Sequence, residues 1–387
     1  MSPSSRLSRP ASGRDKTVRA AAPPDRSTPD AGEDVSSRPG ITPSSKANAY
    51  ADLWLLLLIA LLRPAGHSLL YFAETYGLAS SSVRTGLDTV NAAHALLLAV
   101  VPLWLTALVV RRTRDAGLLQ QRVLRCAAAV TGSAALWTVI PWLPNPSSQT
   151  LEVTAFSVAL AWLALEVCLR HGITAEHLGI RPLRQRTAAG RRAENASDRL
   201  TLAIFLLNAA AMDLVARGLW EAGIRLPQPP DSVQELAKWT SAWDLAATVL
   251  RAVVIEDLVV IAAVSALLAV ARRPAWHVYA IAAGAGIALH AHFGLLALCM
   301  LPYTLYRVRI YRRYGLLLSL VVIHVFWDVF WSVLHTLTDR TFTSQQWFLV
   351  LAGAGAVILV EETVRRGAGS RTRDAAGSPQ ARRKHSA

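Results

Sequence analysis

Charge is scarce in this chain, and lysine is scarcer still. Charged residues make up 17% of the 387, against about 25% in a typical soluble protein, while hydrophobic residues reach 53%. With apolar runs throughout residues 50–361, that balance argues against a soluble globular enzyme and for a polytopic membrane protein. Lysine occurs only at Lys16, Lys46, Lys238 and Lys384, so the net charge of +14 is almost entirely arginine. It gathers in the tails and a few loops. There it reads as an orientation signal and an attraction to anionic lipid headgroups, with no nucleic-acid partner implied. Arginine and alanine in such excess point to a GC-rich, bacterial genome. Cysteine is nearly absent: Cys126, Cys168 and Cys299 fall inside apolar segments and form no spaced pair. Disulfides and zinc knuckles are therefore not expected, and the thiols read as buried. No signal-peptide h-region is expected either.

The composition predicts an all-α, polytopic transmembrane bundle of about ten helices between disordered tails. Residues 1–48, rich in Ser, Pro, Ala and Arg, read as a disordered cytoplasmic tail. Residues 49–198 carry the first transmembrane helices and a basic loop, and residues 199–338 a helical core. Residues 339–362 form the last transmembrane helix, and 363–387 a basic disordered tail. Helices are expected near 51–73, 89–110, 123–143, 150–170, 199–221, 241–271, 276–291, 293–307, 315–338 and 346–361. Pro64 should kink or end the first. The basic stretches at 111–122 and 181–199 read as cytoplasmic, and the Arg-poor loops at 144–149 and 224–240 as outside. Two short helices with a break near Phe293-Gly294 keep YRVRIYRRYG and the C-terminal tail on the cytoplasmic side. Ten crossings with both termini inside satisfy the pattern.

Ionisable groups at membrane depth carry the chemical information, because a charged side chain at the bilayer centre costs roughly 2.5–3.5 kcal/mol on insertion scales. VVIEDLVVIAAV places Glu256 and Asp257 side by side in such a run. His290 and His292 follow. HVFWDVF then puts His324 and Asp328 four apart, on one helical face. His290 and His292 are two apart, so only one of them can face a given partner. Three neighbouring helices thus offer a carboxylate pair, an imidazole and an imidazole–carboxylate pair. A carboxylate held against an imidazole can take a proton from water, and a second imidazole can stabilise an oxyanion. A catalytic or metal-binding cluster, a proton pathway and structural polar glue all fit these residues. Elsewhere Asp213 and Arg217 read as a structural pair, and His67 and His94 as packed or backbone-bonded imidazoles. Arg251, five residues before Glu256, stands near enough to bias its charge.

This order and spacing resemble the CPBP family, intramembrane proteases related to CAAX prenyl endopeptidases and bacterial Abi proteins. That family's pattern is a Glu-Glu-x-x-x-Arg helix, a Phe-x-x-x-His helix and a His-x-x-x-Asn (or Asp) helix. Here Glu256-Asp257 takes the first pair, His290 follows by 34 residues and His324 by another 34. Tyr311, Arg313 and Gly315 resemble the family's Tyr-x-Arg-Thr-Gly turn, and EHLGIRPLRQR resembles its Leu-Gly-Leu-Arg stretch. The likeness covers residues 240–338 well and 172–240 loosely. Ile261 stands where the pattern has Arg, and Gly286 where it has Phe. If His292 is the match instead, Ala288 takes the Phe place. EETVRR at Glu361–Arg366 also fits Glu-Glu-x-x-x-Arg. It comes after the third motif, at a helix end, and reads as juxtamembrane charge.

The resemblance implies an intramembrane endopeptidase acting on a membrane-anchored protein or peptide. Glu256 would activate water, His290 would share it, His324 and Asp328 would stabilise the oxyanion, and Asp257 would tune Glu256. Two adjacent carboxylates in a low-dielectric site do not both ionise easily, which suits one of them to proton transfer. Family members are often called metalloproteases, and a His-His-carboxylate zinc site is geometrically open. No His-Glu-x-x-His helix is present to make it specific. A catalytically weakened scaffold, for which the missing Arg argues, and a proton-linked transporter are the other readings.

Overall fold

The computed structural model describes residues 43–78, 80–136, 146–180, 188–224, 226, 241–337, 350 and 352–364. Ten helices account for nearly all of them, and among the described residues there is no strand. They are α1 (Pro43–Thr75), α2 (Ser81–Arg112), α3 (Leu118–Leu136), α4 (Pro146–Arg170) and α5 (Ala188–Glu221). Then come α6 (Ala242–Val270), α7 (Ala275–Leu289), α8 (Met300–Tyr314), α9 (Leu317–Leu337) and α10 (352–364). Most of the expected tails and most of the expected loop at 224–240 lie outside the described residues.

Six helical segments among the described residues are long and apolar enough to cross a membrane. Ala275–Leu289 and Leu317–Val333 are apolar but shorter. Many large apolar side chains stand exposed on the outer faces, among them Leu96, Leu103, Leu214 and Val130. Such a surface is a liability in water and the expected solvent boundary in lipid. The chain is an integral membrane protein.

α6 is the axis of the bundle. Nearly every residue from Val253 to Val264 is buried, and its middle touches α1, α4, α7, α8 and α9. A helix apolar all round is one that is wrapped on every side. Leu53, Leu56 and Ile59 of α1, Leu98 and Leu105 of α2, and Leu160 and Leu163 of α4 build the core on one flank. Gly132 of α3 lets α2 come close: a Cβ there would stand 2.5 Å from the Cα of Pro102.

Polar contacts fix which helix ends share a side. Asp52, near the start of α1, meets Arg170 at 3.0 Å and His171 at 2.8 Å, at the end of α4. Arg199 of α5 meets Glu361 of α10 at 3.5 Å. The Leu317 amide, opening α9, donates to the Leu178 carbonyl at 3.2 Å. At the opposite end the Thr150 hydroxyl of α4 donates to Asp244 of α6.

α7 and α8 form a hairpin that enters the bundle and returns. α7 has 15 residues, roughly 22 Å at 1.5 Å per residue, less than a hydrocarbon core of about 30 Å. Its tip is a 3₁₀ stretch, Ala291–Cys299, interrupted at Gly294 with φ 66° and ψ −137°. That conformation is open to glycine and strained for other residues. The break expected near Phe293-Gly294 is therefore present, but the returning α-helix begins at Met300 rather than 293. α1 also differs from expectation. It starts at Pro43 and runs unbroken through Pro64 to Thr75.

Candidate functional site

Glu256 and Asp257 lie on a ten-residue π-helical run, Val254–Ala263, in the middle of α6. π turns are rare, usually single, and frequent at functional sites. In an α-helix successive side chains diverge by about 100°. Here both acids are nonetheless turned inward, Glu256 toward His290 and Asp257 toward His324. Their burial differs: the Asp257 side chain is fully buried, whereas Glu256 keeps 19% of its surface exposed.

His290 closes α7 and aims at Glu256. Its Nδ1 donates to the Gly286 carbonyl at 2.9 Å, which leaves Nε2 as the acceptor nitrogen in the neutral ring. Nε2 stands 3.8 Å from Glu256 Oε1. His292 points elsewhere. Its Nδ1 lies 3.1 Å from Ser68 Oγ and 3.2 Å from the Leu289 carbonyl, against α1. The choice left open between the two histidines falls on His290.

His324, on α9, is buried against the other acid. Its Nδ1 donates to Asp257 Oδ2 at 2.8 Å, and its Nε2 lies 3.5 Å from Asp328 Oδ2. All five candidates from three helices thus converge in one cluster.

The residue missed from sequence is Arg307, on α8. Only 1% of it is exposed, and it joins the whole site. Nη1 donates to Glu256 Oε2 at 3.1 Å. Nη2 donates to Asp257 Oδ1 and lies 3.1 Å from His324 Nδ1. The guanidinium carbon sits 4.8 Å from the Tyr303 ring centroid and 5.4 Å from that of Phe205, where ring faces stabilise a desolvated cation. Its Nε is buried and has no hydrogen-bond partner among the described residues. Arg251 does not serve Glu256. Its charged neighbour is Arg63 of α1, and no ion pair joins it to either acid among the described residues. Ile261, in the place of the motif Arg, is buried among apolar neighbours.

The remaining sequence readings resolve simply. Asp213 pairs with Arg217 within α5. His94 donates to the Ile59 carbonyl at 3.3 Å, and His67 to Asn91 Oδ1 at 3.1 Å. Cys168 is buried, but Cys126 is exposed on α3, against expectation, because that face of α3 looks outward from the bundle. Glu361 meets Arg199 at a helix end, far along the chain from the acid cluster.

The donor set does not fit zinc. The Arg307 guanidinium already places a fixed positive charge between the two carboxylates and beside His324. A divalent ion at that point would meet strong repulsion at short range. Among the described residues no group of three His, Cys, Asp or Glu side chains is arranged so that it could hold a metal ion.

A cavity of about 900 Å³ opens between the start of α5 and the start of α9, lined by Arg191, Arg192, Asp198, Leu318, Ser319 and Val322 among others. Its lining ends at Val322, two residues before His324.

Gly179 and Gly315 join the two flanking stretches read from sequence. Gly315, with φ 62°, ends α8, as a left-handed residue often ends a helix. Gly179, with φ 84°, lies directly on it, and the Tyr311 hydroxyl donates to the Leu178 carbonyl at 3.5 Å. Searches against protein-family models, curated proteins and solved structures give no match for this chain.

Proposed function

We propose that this protein is an intramembrane endopeptidase of the CPBP type, in which Glu256 and His290 hold the water that attacks a peptide bond. The observation that carries this reading is the 3.8 Å gap between Glu256 Oε1 and His290 Nε2. With the Nδ1 hydrogen committed to Gly286, both facing atoms are acceptors. One water beside them can donate a hydrogen to each, which frees its lone pair for attack. Glu256 then takes the proton and passes it to the leaving amine, as a general base and acid in turn. His324, held at Nδ1 by Asp257 and at Nε2 by Asp328, acts as an imidazolium, so that its Nε2–H can donate to the developing oxyanion. Asp257 is thus an orienting group, and Glu256, the half-open acid, is the reacting one.

The substrate is a membrane-anchored protein or peptide. The Ala- and Arg-rich composition favours a bacterial plasma membrane, and the Arg-rich stretches favour both termini in the cytoplasm and ten crossings. A scaffold reading draws on a different observation: the Asp257–Arg307–His324 clip ties α6, α8 and α9 together. The experiment compares protein N-termini in host membranes carrying wild type or Glu256→Gln at equal abundance. New termini that vanish with the substitution support the endopeptidase and identify its substrates. Identical termini, with both forms stably inserted, sink it in favour of the scaffold.

A further inference from the structure

Each of the two adjacent acids on α6 divides its two oxygens between Arg307 and a histidine. Glu256 gives Oε2 to Arg307 and turns Oε1 to His290. Asp257 gives Oδ1 to Arg307 and Oδ2 to His324. A carboxylate on a flexible glutamate chain would otherwise rotate about its last bonds, whose torsional wells are broad. With one oxygen pinned by a planar, forked donor, the direction of the other is set. The same guanidinium compensates two adjacent negative charges, which in a low-dielectric interior would not both persist.

We propose that Arg307 is a positioning residue for hydrolysis: it holds both carboxylates ionised and turns Glu256 Oε1 toward His290. This role rests on the endopeptidase reading. It does not require the cation to come from α8. Ile261 follows Asp257 by four residues on the π run, within one wide turn, and is buried in the apolar core. An arginine at 261 would approach the acids from their own helix. The pair I261R and R307M exchanges a long cation and an aliphatic chain between two buried positions.

The test uses full-length protein in lipid nanodiscs and a substrate found by the terminus comparison. R307M should lower kcat by about 100-fold, the scale of a misplaced catalytic group, with KM little changed. Its infrared spectrum should gain a protonated-carboxyl band that Glu256→Gln or Asp257→Asn removes. I261R/R307M should lose that band and recover a substantial part of kcat. R307K, which keeps the charge but loses the fork, should insert normally, show no such band, and still lose kcat. If R307M fails to insert, R307K and the exchanged pair decide the matter. A kcat within threefold of wild type in R307K and in any R307M that folds overturns the proposal and leaves the endopeptidase reading standing. Wild type that cleaves nothing in a Glu256-dependent way overturns both.

Discussion

Gly286 of α7 faces Thr304 of α8 so closely that a Cβ at Gly286 would stand 2.5 Å from the threonine Oγ1. The residue that the resembling pattern places here, phenylalanine, has no room, because α8 occupies its volume. That close approach also lets α8 carry Arg307 to the acids on α6.

Gly286→Ala should therefore destabilise the protein by about 1–3 kcal/mol, the usual cost of overfilling a packed interior. Thr304→Ala should relieve most of it in the double variant. Thermal unfolding of the four proteins in detergent measures the coupling. Additive single effects would mean that the two helices separate freely, contrary to the contact.

Gly179 provides a second steric test with its own control. A Cβ there would lie 2.0 Å from the Gly315 carbonyl oxygen, and its φ of 84° disfavours any side chain. Gly179→Ala should cost about 1–3 kcal/mol from backbone strain alone, and overlap adds to that. Gly218, within α5, has nothing within 4 Å of its Cβ position. Gly218→Ala should be neutral or stabilising by up to about 1 kcal/mol. Equal melting shifts for the two would contradict the docking of the 171–180 loop on the α8–α9 turn.

Asp257 and Glu256 should separate when stability and activity are measured together. Asp257 is fully buried between Arg307 and His324, so Asp257→Asn should lose about 3–5 kcal/mol, as when one partner of a buried ion pair is removed. Glu256→Gln keeps a polar group at a partly exposed position and should lose less, about 1–3 kcal/mol, while abolishing cleavage. Chemical denaturation in micelles and the cleavage assay give both numbers. A Glu256→Gln protein less stable than Asp257→Asn would reverse the assigned division of labour.

Much of the site was legible because its chemistry is local in sequence. A carboxylate pair in an apolar run, and an imidazole one turn from an acid, announce themselves by their cost in lipid. The break near Phe293-Gly294 followed from keeping YRVRIYRRYG and the C-terminal tail on one side of the membrane, and Gly294 supplies the φ of 66° that the tip uses. Arg307 was illegible for the opposite reason. It lies in YRVRIYRRYG, where its neighbours Arg309, Arg312 and Arg313 read as interfacial charge, and its partners are 50 and 51 residues away. The available signal was helical phase. Tyr303, Arg307 and Tyr311 repeat every four residues and all are buried, so Arg307 belongs to the inward stripe. Arg251 misled for the same geometric reason: five residues along an α-helix is about 140° around it, which turns the charge away. Nothing in the residues near Pro64 foretold that α1 would pass through it unbroken; the structure gives no local reason.

The π run in α6 also changes how the protein can vary. A π turn is an α turn holding one residue more, so Val254–Ala263 behaves like a stored insertion inside a helix. Losing one residue there would not shorten a loop. It would let a π turn close to an α turn and leave Leu267 and Leu268, now fully buried, in their seats, whereas the same loss from an α turn would rotate the remainder of the helix by about 100°. The run is therefore a place where length can change without rotation, and among descendants of this chain single-residue deletions in α6 should gather within Val254–Ala263.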